Sequence, residues 1–172
     1  MTFQQSVKTC FRKYFTFSGR APRSEYWWFM LFIILASIVL GVLDALVFGA
    51  GSITTTPDTV AVESDGPLAS LFSLIVLIPT LSAGWRRMHD TGRSGFYLLY
   101  PLIVTIGISM AIAFFGGFGM FDDGTAGGLA AIILVPAMIV LAISPLLVLW
   151  WLTRRSQPGT NVYGPNPHEV QQ

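Results

Sequence analysis

Charge is scarce in this chain. Only 11% of its 172 residues are charged, ten Lys and Arg against nine Asp and Glu, where a soluble domain carries about 25%. So little charge excludes a soluble enzyme and a disordered tail. A net charge of +1 gives none of the basic excess that nucleic-acid binding needs, so no nucleic-acid partner is expected. The single cysteine, Cys10, excludes an intramolecular disulfide framework and any Cys-based metal site. No pattern calls for a metal or another cofactor. What the chain has in abundance is apolar surface: 53% of its residues are hydrophobic and its mean hydropathy is +0.64.

That apolar content is gathered into four runs, 26–48, 68–85, 96–115 and 129–152, and only the first contains a charge, Asp44. Each is long enough to cross a hydrocarbon core of about 30 Å as an α-helix. A soluble bundle would carry a polar stripe on every helix, and these helices have none. The expectation is an all-α integral membrane bundle of four transmembrane helices, one membrane domain over 1–167 with a flexible end at 168–172. The 25 residues ahead of a 23-residue first run do not fit a cleaved signal peptide, so that helix is expected to remain.

The charges are sorted between the two ends. All ten basic residues lie before the first run (Lys8, Arg12, Lys13, Arg20, Arg23), between the second and third (Arg86, Arg87, Arg93), or after the fourth (Arg154, Arg155). The other two connections contain none and carry Asp58, Glu63, Asp65, Asp122 and Asp123. Basic residues are retained on the cytoplasmic side, which predicts an inner-membrane protein with both termini in the cytoplasm. All five Trp and all five Tyr cluster near the same ends, where amphipathic rings sit at headgroup level.

Local patterns add detail. Phe3, Val7, Phe11 and Phe15 recur at helical spacing opposite Gln4, Lys8 and Arg12, predicting an amphipathic helix over 1–17 lying in the membrane plane. Gly19 ends it, Pro22 suits the first turn of the next helix, and Glu25 is placed to pair with Arg20 or Arg23. Gly49 to Pro67 and Gly116 to Gly128 read as solvated loops; for Asp122 and Asp123 a hydrated loop outweighs a metal site. Pro79, Pro136 and Pro145 should kink their helices, and Gly107 with Ala111 suits close helix packing.

Chemistry concentrates in Arg86-Arg87-Met88-His89-Asp90-Thr91-Gly92-Arg93-Ser94-Gly95, between the second and third runs. Asp90-Thr91-Gly92 looks like an aspartic-protease loop, but that chemistry needs two aspartates sharing a proton; here it is a turn. His89 and Asp90, as neighbours on a helix, point about 100° apart and do not easily pair, which favours structural capping over acid–base work. Eight Arg against two Lys favour bidentate phosphate geometry over charge alone. Asp44 has no basic intramembrane partner, so an outward-snorkelling or helix-capping Asp outweighs a proton relay.

The segments Phe15 to Trp27, Arg86 to Gly95 and Asn161 to Pro167 resemble, in order and spacing, the small bacterial inner-membrane proteins grouped as domain of unknown function 805. The resemblance covers nearly the whole chain and implies a four-helix inner-membrane protein without an established reaction. All three segments fall at the basic end, so the tail is expected to fold back beneath the bundle and complete one site. The candidate residues are Arg20, Arg23, Arg86, Arg87, His89, Asp90, Arg93 and Tyr163. They would hold an anionic lipid headgroup or a phosphate-bearing ligand at the cytoplasmic face, with no catalytic residue assigned. Membrane lipids are thus the expected partners. Three other readings stand beside this one: a transporter or channel subunit using Asp44 and the helix prolines, an enzyme acting on a lipid phosphate through His89 and Asp90, and a scaffold binding another membrane protein or a further copy of itself.

Overall fold

The computed structural model describes residues 1–49, 53–56, 59–62, 66–117 and 126–169. The chain is all-α, with helices α1 (Phe3–Arg12), α2 (Arg23–Phe48), α3 (Pro67–Asp90), α4 (Tyr100–Gly117) and α5 (Ala126–Thr153). A short 3-10 turn, Gly95–Leu99, leads into α4. Four segments have the length and apolarity to cross a membrane: Arg23–Phe48, Pro67–Asp90, Gly95–Gly116 and Leu134–Thr153. Their outward faces carry bare apolar side chains such as Leu46, Met110 and Leu146, a surface that suits lipid rather than water.

Two boundaries differ from the hydropathy reading. Helix α3 continues through Arg86 and Arg87 to Asp90 instead of stopping at Trp85, because each of those charges finds a partner inside the protein. Helix α2 starts at Arg23, and Pro22 is the cap residue just before it. The connection expected as a plain solvated loop contains an antiparallel hairpin, β1 (Ile53–Thr56) with β2 (Thr59–Val62), in register from Ile53 opposite Val62 to Thr56 opposite Thr59. Its ITTT and TVAV segments are rich in β-branched residues, which favour strands. Asp58, Glu63, Asp65, Asp122 and Asp123 lie outside the described residues.

Helix α1 is shorter than the expected 1–17. Thr2 and Gln5 close a capping box at its start, and Phe3 and Phe11 meet Trp28, Phe29 and Phe32 of α2. Ser6, Thr9 and Cys10 are buried. Its apolar face is therefore turned onto the bundle.

Two side chains repair weak points in α3. Pro79 has no N–H, so the Ile75 carbonyl lacks its helical donor; the Tyr14 hydroxyl donates to that carbonyl at 2.6 Å. At the other end of α3, Asp44 of α2 accepts from the backbone N–H of Leu68 at 3.1 Å and of Ala69 at 2.8 Å. Two of the N–H groups that every helix start leaves unpaired are thereby satisfied. Gly66 sits so close that a Cβ there would lie 2.3 Å from the Asp44 side chain. Of the two roles expected for Asp44, snorkelling and capping, the cap is present, supplied across a helix pair.

The core lies at the basic end of the bundle: Cys10, Tyr26, Phe29, Ala83, Met88, Val148 and Leu152 form one buried cluster. The same end carries the buried charges.

Candidate functional site at the basic end

The site is built around Asp90, the last residue of α3, whose side chain is fully buried. One carboxylate oxygen accepts from Arg20 Nε at 3.0 Å. The other accepts from Arg87 Nη1 and, at 2.5 Å, from Ser156 Oγ. A buried carboxylate survives only with such partners, because desolvation of an isolated charge costs several kcal/mol. Burial here is bought by two cations and a hydroxyl from three different parts of the chain.

Both arginines also tie down backbone. Arg20 donates to the carbonyls of Gln157 at 2.5 Å, Gly159 at 2.8 Å and Gly164 at 3.3 Å. Arg87 donates to the carbonyls of Leu152 at 3.0 Å, Ala21 at 3.4 Å and Arg154, and Arg23 reaches the Thr153 carbonyl at 3.3 Å. The last carbonyls of α5, which no helical N–H can reach, are thus capped by guanidinium groups, the charge sign that suits a helix C-terminus.

The tail folds back beneath the bundle as expected. Tyr163 stacks flat on His89 with ring centroids 3.8 Å apart and planes 4° from parallel. Asn161 donates to the His89 carbonyl at 3.0 Å, and Gln157 N–H to the Asp90 carbonyl at 2.9 Å. His89 Nδ1 lies 3.1 Å from the Gly19 carbonyl; a carbonyl only accepts, so Nδ1 carries the proton. His89 and Asp90 do not touch, and each is engaged elsewhere.

A second buried pair lies beside the first. Arg86 Nη1 bonds Glu25, which corrects the expected pairing of Glu25 with Arg20 or Arg23; those two reach Asp90 and α5 instead. Arg86 Nε and Nη2 are buried without a protein acceptor. Burial, with the Glu25 charge adding to it, pushes the Cys10 thiol up to about 12, so it stays protonated at neutral pH and is no nucleophile.

The candidate residues therefore divide. Arg20, Arg87, His89, Asp90 and Tyr163 form one interlocked network, Arg86 sits beside it with Glu25, and Arg23 and Arg93 lie at its rim. Arg93 joins two arginines that belong to none of the three motifs, Arg154 and Arg155. With Thr91, Ser156, Gln157 and Pro158 they line an open cleft of about 280 Å³. The Arg93 guanidinium lies 5.3 Å from the Trp151 ring centre and that of Arg154 4.8 Å from Trp150, within cation–π range. Among the described residues no carboxylate pairs with these three cations; all three ion pairs belong to Arg20, Arg86 and Arg87. Burial, and then repulsion from Arg154, hold the Arg93 guanidinium below its usual range. The sequence signal for Arg154 and Arg155 is their position just past Trp150 and Trp151, with two residues between, where the last span ends.

Comparison with known proteins gives relatives without a reaction. Inner membrane protein YhaH of Escherichia coli (strain K12) is 34% identical over 103 residues, 60% of this chain and 77% of YhaH. Inner membrane protein YhaI of the same strain is 32% identical over 117 residues, 67% of this chain and 82% of YhaI. No solved structure matches. The family model described as protein of unknown function (DUF805) matches residues 14–165, from Tyr14 on the Ile75 carbonyl to the turn that receives Arg20, and the chain belongs to that family of inner-membrane proteins.

Proposed function

We propose that this protein is a binding module for an anionic, phosphate-bearing headgroup at the cytoplasmic face of the inner membrane, and that the ligand sits in the Arg93, Arg154 and Arg155 cleft. The observation that carries the reading is a cleft lined by three arginines that, among the described residues, no carboxylate pairs with, flanked by the Trp150 and Trp151 rings that mark headgroup depth. Guanidinium forks match phosphate oxygens bidentately. Of the wider set considered from sequence, Arg20, Arg86, Arg87, His89, Asp90 and Tyr163 serve the reading indirectly. Arg20, Arg87 and Asp90 hold the tail whose residues Ser156 to Pro158 form one wall of the cleft, Tyr163 stacks on His89, and Arg86 is buried against Glu25. The cytoplasmic placement of this end is supported by the sorting of all ten basic residues to it.

Replacing Arg93, Arg154 and Arg155 together by Gln is expected to leave the protein inserted and folded. At about 1 kcal/mol per basic residue, co-purifying anionic phospholipid should fall roughly 100-fold. Native mass spectrometry of the mildly solubilised protein measures this, and unchanged lipid retention would overturn the proposal.

A further inference from the structure

We infer that the cleft selects a doubly charged terminal phosphate, a phosphomonoester, over the singly charged phosphodiester of a common headgroup. This rests on the headgroup-binding reading above. The first reason is uncompensated charge. Arg93, Arg154 and Arg155 bring three positive charges to one cleft, and the buried carboxylates at this end, Asp90 and Glu25, are paired with Arg20, Arg87 and Arg86. The partial negative charge of the α5 C-terminus does not offset them, because the carbonyls of Leu152, Thr153 and Arg154 already accept from Arg87 and Arg23. A phosphodiester would answer one of the three charges. A phosphomonoester carries about −1.5 to −2 at pH 7.

The second reason is the hydrogen-bonding character of the lining. The Thr91 hydroxyl donates to the Met88 carbonyl and the Ser156 hydroxyl to Asp90. The Gln157 side-chain oxygen accepts from Asn161. What faces the cleft is rich in guanidinium N–H, of which Arg93 Nη1 also donates to the Thr91 carbonyl at 3.3 Å, and such donors fit a group with acceptors alone. A terminal phosphate presents three such oxygens where a diester presents two. Amine-bearing headgroups bring a positive charge that the three guanidinium groups repel. The third reason is preorganisation: Arg93 and Arg154 are held on Trp151 and Trp150, so little side-chain freedom is lost when they engage a ligand.

The test uses the full-length protein in detergent, stripped of lipid and titrated separately with dioctanoyl phosphatidic acid, dioctanoyl phosphatidylglycerol, dioctanoyl phosphatidylcholine and inorganic phosphate, with Kd read by native mass spectrometry. The expected result is phosphatidic acid tighter than phosphatidylglycerol by about tenfold, the effect of roughly one further unit charge near these cations, and no measurable phosphatidylcholine binding. Arg155→Gln should shrink that preference to about threefold or less, while Arg12→Gln, on exposed α1 outside the cleft, leaves it unchanged. Inorganic phosphate that displaces phosphatidic acid at similar concentration supports the terminal-phosphate chemistry and assigns its source to a soluble ligand. Displacement only at far higher concentration supports it and assigns the source to lipid. Equal affinity for phosphatidic acid and phosphatidylglycerol, both above phosphatidylcholine, overturns the selectivity and leaves the headgroup reading standing. Equal affinity for all three lipids overturns both.

Discussion

Asp90→Ala is expected to lower the thermal midpoint of the detergent-solubilised protein by about 10 °C. Asp90 is the one carboxylate between Arg20 and Arg87, and all three side chains are almost completely buried. Truncating it leaves two desolvated guanidinium groups facing each other, and removing one partner from a buried ion pair typically costs about 3–5 kcal/mol. For a domain of this size each kcal/mol lowers the midpoint by roughly 2–4 °C. The damage should be local first. Ser156 and Arg20 lose their acceptor, and Arg20 is the residue that gathers the carbonyls of Gln157, Gly159 and Gly164. The tail should therefore become cleavable between 156 and 166 under limited proteolysis, while the membrane spans stay protected. Asp90→Asn keeps an acceptor without the charge and should fall between the two. A wild-type midpoint and an intact tail in Asp90→Ala would show that this network contributes nothing to the fold.

The second large effect is expected from one added methyl group. Gly66→Ala places a Cβ 2.3 Å from the Asp44 side chain, so either the start of α3 moves or Asp44 leaves its cap. Overpacking costs about 1–3 kcal/mol and loss of the cap about 0.5–2 kcal/mol, and whichever gives way sets the cost. Asp44→Ala alone loses only the bonds to Leu68 and Ala69 and should cost about 1–2 kcal/mol. The two changes share one space, so they should not add. Gly66→Ala made on the Asp44→Ala background should cost clearly less than on wild type, because the obstructing carboxylate is gone. Equilibrium unfolding of the four proteins in mixed micelles gives the cycle. Strict additivity would mean that Gly66 and Asp44 do not meet.

These two sites also show how far the sequence could be read. The four spans were legible because runs of apolar residues have no other use at that length, and the lack of a basic intramembrane partner left snorkelling or capping for Asp44, between which only the fold decides. The end of α3 was not legible. A hydropathy count stops at the first charge, whereas the helix carries Arg86, Arg87 and Asp90 inward because Glu25, Arg20 and Ser156 meet them from elsewhere in the chain. The same blindness affected Glu25: two arginines lie near it in sequence, yet its partner Arg86 is 61 positions away. Tyr14 on the Ile75 carbonyl is another such contact, visible only once α1 is seated on α3. Convergence of the three motifs on one end was readable from the parity of membrane crossings. Which arginines are buried in pairs and which remain open was not, since an arginine that anchors a tail and one that faces solvent look alike in sequence. The hairpin was missed for a different reason. Gly, Ser and acidic residues dominate its connection, and the two β-branched tetrapeptides are short.

The functional account depends on which leaflet the arginine cleft meets, because anionic headgroups give the cytoplasmic surface its negative potential. Paired reporter fusions test that placement most directly. With the basic end inside, green fluorescent protein joined after Gln172 should fluoresce, and alkaline phosphatase inserted in the connection between α2 and α3 should be active in the periplasm. A dark C-terminal fusion together with an inactive phosphatase insertion would place Arg93, Arg154 and Arg155 on the opposite surface and contradict the account.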